Sequence, residues 1–360
     1  MNSPILGLEG VFAETEIPLP MRRSGMAEWC GDHVNMLDRR ALPRQEQYLK
    51  LCTTEDVASA IETMAIQGAF SISIAAGYGL ALSACQHSER DLTGIRQAAN
   101  RLIATRPTGL AIQRMMAACL RAAEKAATNG TPLQSAILAV VDQGAVALAK
   151  QGYETGKNIC DLLPDGATIL THCFPDRSYV YLLMETKRRN KSISVICSET
   201  RPYLQGARLT ALCANQAGFG THVITDGMGG LLMRQGKIDA FITAADRVCM
   251  DGTVCNKVGT YQYALAARAN GIPYYTLRQS GPDVKSLTEA DIEIEYRNGD
   301  EIIHWAGQRT APEGVTGLYP SFDITPADLV TKIITDKGVF TPSEIASYVA
   351  APEVVGGAIV

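Results

Sequence analysis

Three hundred and sixty residues are too many for one small module. They suffice for one large domain or two ordinary ones with a sizeable core. Hydrophobic residues make up 46% and charged residues 19%, which excludes a wholly disordered chain. Lys and Arg number 33 against 37 Asp and Glu, a net charge of −4, so no global field draws the chain to nucleic acid or an anionic membrane.

No unbroken run of about 18 apolar residues occurs, so no membrane span is expected. The opening, Met1 to Met21, carries Glu9, Glu14 and Glu16 with several prolines. It reads as neither a secretory signal nor an Arg-rich transit peptide. Ten cysteines lie scattered with no C-x-x-C pair, and five histidines show no ligand spacing. A disulfide scaffold and a metal site are both unexpected. Such thiols point to a reducing, cytoplasmic setting.

In chain order, the first half reads helical. Thr54 with Glu55 and Asp56 in the first turn starts a run to Met64. A Gly/Ala/Ser-rich segment, Gly68 to Ala84, suits a buried, closely packed helix. Ser88 to Ile103 and Thr108 to Thr128 continue the pattern. Thr131-Pro132 opens a further helix to about Gln151. After about Gly156 short apolar runs alternate with helical stretches: Ala167–Leu170, Ile193–Cys197, His222–Thr225, Ala240–Ala244 and Tyr274–Leu277. That alternation predicts βαβ units, an α/β fold with a parallel sheet and helices on both faces. We therefore expect a mainly helical N-terminal domain over 1–150 and a Rossmann-like α/β domain over 151–360.

Ligands of open α/β sheets bind beyond the C-terminal strand ends. There stand Thr171-His172-Cys173, Ser198-Glu199-Thr200-Arg201, Asp226 and Asp246-Arg247. The bland reading makes these acids helix caps. Cys173 is the thiol best placed for chemistry, since His172 and Arg177 would favour its thiolate, while Asp176 would oppose it. Asp246 reads either as an ion-pair partner or cap, or as a buried carboxyl kept protonated as a general acid. Asn256-Lys257, at an expected helix start, suits phosphate, and Arg106 is a second anion candidate. Either could equally be surface charge. Gly227-Met228-Gly229-Gly230 is similar to a dinucleotide fingerprint, but Leu232 stands where the third glycine is needed.

The long block Glu199-Thr200-Arg201-Pro202-Tyr203-Leu204-Gln205-Gly206-Ala207-Arg208-Leu209-Thr210-Ala211 resembles that of the methylthioribose-1-phosphate isomerases. Thr171-His172-Cys173, Ala245-Asp246-Arg247 and Asn256-Lys257-Val258-Gly259-Thr260 resemble the same family in the same order. So do Leu37-Asp38, Leu42-Pro43, Gly68-Ala69, Thr105-Arg106-Pro107-Thr108 and Phe322-Asp323-Ile324-Thr325-Pro326. That family is shared with ribose-1,5-bisphosphate isomerases and the regulatory subunits of the initiation-factor nucleotide exchange complex. The resemblance implies a homodimer that converts an aldose 1-phosphate to a ketose 1-phosphate without a cofactor. It implies Cys173 and Asp246 as the catalytic pair. Gln67, Gly68, Ala69, Arg106, Gln205, Asn256 and Lys257 fall on substrate-binding positions.

The departures cluster around the substrate. The family usually reads Arg-Gly-Ala-Pro where this chain has Gln67-Gly68-Ala69-Phe70. Replacing a charge-assisted bond by a neutral one costs roughly 1–2 kcal/mol of binding. After the cysteine, Phe174-Pro175-Asp176 stands for Asn, a small residue and Gly, and Ala244 stands for a glycine. With the catalytic pair kept, these changes suggest an isomerase whose substrate has shifted. One rival is a non-catalytic sugar-phosphate or nucleotide-binding regulatory protein of this fold. Another is a nicotinamide-dependent dehydrogenase, which the missing glycine disfavours.

Overall fold

In a computed structural model that describes residues 11–86, 92–107 and 109–350, the chain divides between Lys150 and Gln151 into two compact units. The expected helix start at Ser88, together with Thr108 and the first ten residues, lies outside the described residues.

The first unit opens with an element that the helical reading missed. Strands β1 (Ala27–Trp29), β2 (Val34–Leu37) and β3 (Tyr48–Leu51) form an antiparallel sheet. Each is only three or four residues long, too short to show a period-2 signal. Helices α1 (Thr54–Glu62), α2 (Ala69–Gln86), α3 (Leu92–Ala104) and α4 (Leu110–Asn129) follow. The α1 cap is Thr53, one residue before the expected start. Its hydroxyl accepts from the Asp56 N–H, and the Asp56 carboxylate returns a bond to the Thr53 N–H. Such reciprocal capping stabilises a helix by about 1 kcal/mol. In α2 the small residues serve close packing, as expected. A methyl on Gly77 would sit 2.5 Å from Val141 Cγ2, and one on Gly79 2.9 Å from Val57 Cγ1.

Helix α5 runs over Leu133–Leu162, past the expected end at Gln151. It is long and apolar enough, by length and composition, to cross a membrane, which the search for an unbroken apolar run did not reveal. Its buried positions Leu133, Ile137, Val141, Ala145 and Ala149 recur every four residues, one stripe of a packed helix. Asp142 accepts the Tyr78 hydroxyl at 2.7 Å.

The second unit carries strands β4 (Ala167–Thr171), β5 (Ile193–Ser198), β6 (Gly220–Ile224), β7 (Ala240–Ala244) and β10 (Tyr274–Leu277). These occupy the expected runs to within two residues. Two further strands, Lys332–Thr335 and the antiparallel Gly338–Phe340, extend the sheet. Its order is Gly338–Phe340, Lys332–Thr335, β10, β7, β4, β5, β6. The chain thus moves outward from β4 to β6, then crosses back to β7 and proceeds the other way. Right-handed crossovers place helices α6 (Asp176–Arg188) and α7 (Ala211–Ala217) on one face. They place the returning helices α8 (Gly229–Arg234) and α9 (Thr260–Ala269) on the other. The reversal lies between β4 and β7, which pair directly with Thr171 opposite Ile242. Beneath it lies a core of Leu170, Phe241, Tyr263 and Tyr274, with Phe241 stacked on Tyr274 at 4.7 Å. Strands β8 (Arg247–Val248) and β9 (Val254–Lys257) form a separate small sheet with Phe322–Thr325.

Within this unit Gly156 of α5 touches the backbone of α6. An added methyl would stand 2.7 Å from both the Leu182 nitrogen and the Tyr181 carbonyl carbon. Neither can move without shifting the helix. Gly156→Ala is expected to cost about 1–3 kcal/mol, read as a lower denaturant midpoint at unchanged slope. An unaltered midpoint would contradict this packing.

Candidate functional site

The reversal between β4 and β7 leaves a gap where the two crossovers diverge, and loops from both sides open at it. Cys173 lies two residues past β4 and Asp246 two residues past β7. The topology therefore delivers both to one spot. Electrostatics agrees, since each carries a Coulomb interaction with Lys257, and Cys173 feels Asp246 directly.

The loops there are strained. Among the described residues, seven other than glycine have φ in the left-handed region, and four of them are Cys173, Asp176, Thr200 and Leu204. Each costs about 1–3 kcal/mol and persists only when its surroundings over-determine it. The Cys173 N–H donates to Thr200 Oγ1 at 2.9 Å, and its carbonyl accepts from Thr210 Oγ1 at 2.5 Å. Asp226 fixes the partner loop, accepting the N–H groups of Thr200 and Arg201 at 2.8 and 2.7 Å. So the third strand-end acid has a structural role, though in holding a loop rather than in capping the next helix. Gly206 opens a π-helical turn, Gly206–Thr210, and a Cβ there would meet the Ser198 carbonyl oxygen at 1.8 Å. Only glycine permits that approach, which sets Gln205 beside the thiol.

Cys173 is half-buried. Gln205 Nε2 donates to its Sγ at 3.2 Å, while Gln205 Oε1 is buried without a partner among the described residues. A buried amide oxygen left unsatisfied is costly unless a ligand hydroxyl or amine completes it. Burial pushes the Cys173 thiol up, opposed chiefly by Lys257. The positive neighbour is therefore Lys257, not His172 or Arg177. His172 is fully buried, donating from Nε2 to the Val258 carbonyl at 2.9 Å while Nδ1 meets Ser198 Oγ at 2.5 Å. That network fixes its tautomer, and desolvation holds it neutral. Arg177 is buried, with its Cβ beside Gly152 of α5.

Asp246 keeps its side chain accessible, yet the surrounding protein raises its carboxyl, opposed by Lys257, Arg278 and Arg297. It makes no hydrogen bond or ion pair with any described residue. Its neighbour Arg247 is not its partner, since that guanidinium lies 3.7 Å from Asp283 and 3.1 Å from Ser286 Oγ. Asn256 and Lys257 end strand β9 rather than starting a helix, which corrects the expected placement. Asn256 Nδ2 donates to Thr260 Oγ1 at 3.0 Å. Lys257 is only 6% exposed, and desolvation lowers its ammonium.

The remaining candidates belong to the first unit. Gln67 is buried and donates from its side-chain amide to the Met64 carbonyl, and its own carbonyl accepts from the fully buried Arg39. Gly68 has φ +89, and Ala69 begins α2. Arg106 donates to the Ile61 carbonyl at the end of α1 at 2.9 Å. Sequence reasoning missed Arg39, Glu295, Arg297 and Tyr319 as neighbours of site residues. Among the described residues no cluster of His, Cys, Asp or Glu is set to hold a metal.

Residues 65–342 match the Initiation factor 2 subunit family. Methylthioribose-1-phosphate isomerase of Thermotoga petrophila is 38% identical over 334 residues, 88% of this chain and 94% of that protein. The Dehalococcoides mccartyi protein of the same name is 37% identical over 88% and 99% of the two chains. The crystal structure of 5-methylthioribose 1-phosphate isomerase from Pyrococcus horikoshii superposes with a TM-score of 0.78 at 31% identity, covering 94% of this chain and 98% of that one. Translation initiation factor eIF-2B subunit delta from A. fulgidus gives 0.73 at 29% identity, covering 89% and 96%. The chain belongs to the initiation factor 2 subunit family and is one of its isomerases.

Proposed function

We propose that the chain converts a pentose 1-phosphate, S-methyl-5-thioribose 1-phosphate or a related modified ribose 1-phosphate, to the ketose 1-phosphate. The observation that carries this reading is the pairing of Cys173 and Asp246 at the sheet reversal, with Lys257 in electrostatic reach of both. Phosphate on the anomeric carbon blocks spontaneous ring opening. An acid must therefore protonate the ring oxygen, and a carboxyl raised by the protein around it and bound to no other described group is suited to it. Once the ring is open, Cys173 either removes the C2 proton as thiolate or stabilises a hydride passing from C2 to C1. The orphaned Gln205 oxygen fits a sugar hydroxyl. Lys257 and Asn256 are proposed to bind substrate. The relatives named methylthioribose-1-phosphate isomerase support the substrate class.

Aldose-to-ketose turnover should appear on a panel of methylthioribose 1-phosphate, ribose 1-phosphate, 5-deoxyribose 1-phosphate and ribose 1,5-bisphosphate. Cys173→Ser and Asp246→Asn should each lose at least about a hundredfold in kcat while staying folded, the usual scale for acid–base groups. Silence of the wild type on the whole panel would sink the reading. The pH profile separates the two roles of the thiol. Both pKa values are raised, so the acid acts below its own and the thiolate forms above its own. If Cys173 is the base, kcat/KM falls on both sides: acid pH depletes thiolate, alkaline pH depletes the protonated Asp246. If it acts as a neutral thiol, the acid side is a plateau.

The same reading takes the chain as a homodimer. Strand β6 supports it: parallel strands are normally covered on both faces, yet Val223 is 51% exposed. Met228 precedes α8, and Leu231 of α8 with Tyr261 and Leu265 of α9 are exposed in turn. Exposed apolar side chains on the neighbouring helices α8 and α9 fit an interface. Sedimentation should give a dimer, with Leu231→Glu shifting it toward monomer; a monomeric wild type at micromolar concentration would contradict it.

A further inference from the structure

Lys257 poses a physical problem that its proposed role as an anion binder does not solve. Its side chain is 6% exposed, and no carboxylate of the described residues lies within ion-pair distance of Nζ. A buried ammonium without a counter-ion tends to lose its proton or swing toward water. Desolvation lowers this ammonium, and two aromatic faces receive it. Nζ lies 4.6 Å from the centroid of Phe322 and 5.8 Å from that of Tyr319, both within cation–π range.

The two rings come from one segment, Tyr319 to Phe322, which two pairings pin in place. Tyr319 lies opposite Arg297 in a short antiparallel pair, and Phe322 lies opposite Lys257 itself. Tyr319 is 2% exposed, so its ring cannot turn away. Arg297 hydrogen-bonds the Tyr319 hydroxyl and is itself held by Glu295 at 2.7 Å. Glu295 is thereby occupied by Arg297 and does not pair with the ammonium.

This arrangement differs in consequence from an ion pair. A carboxylate would hold the ammonium equally well but would cancel its charge. A ring face holds it and leaves the full positive charge for an incoming anion. We infer that Phe322 and Tyr319 are positioning residues, an aromatic clamp that keeps the Lys257 ammonium oriented and unneutralised for the phosphate of the substrate. The clamp rests on the reading of Lys257 as an anion-binding residue. It adds what that reading lacks, a reason for the charge to stay in a buried place without a partner.

The test is steady-state kinetics with methylthioribose 1-phosphate, alongside calorimetric binding of inorganic phosphate to the full chain. Phe322→Leu removes a ring face and should raise KM about tenfold, with kcat changed less than threefold. Phe322→Tyr restores a face and should recover most of that loss, which a merely structural role for the ring volume would not separate from Phe322→Met. Phosphate affinity should follow the same order. Lys257→Met distinguishes the two layers. If it leaves KM and phosphate binding unchanged, the anion-binding reading fails. If it weakens both while folded Phe322→Leu and Phe322→Met match wild type, the clamp alone is overturned. Should Phe322→Leu not fold, Phe322→Met and Tyr319→Leu carry the same comparison.

Discussion

The sheet must reverse direction between β4 and β7, and the second unit is organised by that reversal. Because crossovers keep one hand, the helices diverge to opposite faces there and leave the strand ends uncovered. Cys173 and Asp246 sit at those ends. Neither residue need be close in sequence to the other, since the 72 residues between them are taken up by β5, β6, β7 and their helices. The strained loops after β4 and β5 follow from the same constraint. Two chains leaving adjacent strands must turn sharply in little space, and Cys173 and Thr200 take left-handed conformations while bonded to each other.

Electrostatics then divides labour among groups that would otherwise compete. Desolvation by the surrounding protein raises both the thiol and the carboxyl, so each resists ionising. One buried cation, Lys257, acts on both in the opposite direction. His172, which stands next to the thiol in sequence, is taken out of the balance by desolvation and two hydrogen bonds. The balance therefore depends on the Lys257 charge remaining, which is what the ring faces of Phe322 and Tyr319 are proposed to secure.

Much of this was legible in the sequence, for identifiable reasons. The strands β4, β5, β7 and β10 are buried on both faces, so they read as short apolar runs, and strand-end position together with the family resemblance picked out Cys173 and Asp246. The exposed edge strand β6 was placed two residues late because it lacks such a run. Three things were not legible. The short strands β1 to β3 are below the length at which alternation shows. Asn256-Lys257 looked like a helix start because Thr260 begins α9 three residues on, and nothing local marks the intervening turn. The role of charge was misassigned to His172 and Arg177, since sequence neighbours of a strand end point to different sides. The ring clamp lies more than 60 residues from Lys257 in the chain, on strands of only two and four residues, too short to show periodicity, so only tertiary folding brings Tyr319 and Phe322 to it.

The central claim is that Cys173, Lys257 and Asp246 form one electrostatic unit. The most direct measurement is the pH dependence of Cys173 alkylation by iodoacetamide, followed by mass spectrometry in wild type, Lys257→Met and Asp246→Asn. Removing the ammonium should move the thiol titration to higher pH, and removing the carboxylate should move it to lower pH. Identical titrations in all three proteins would contradict the account.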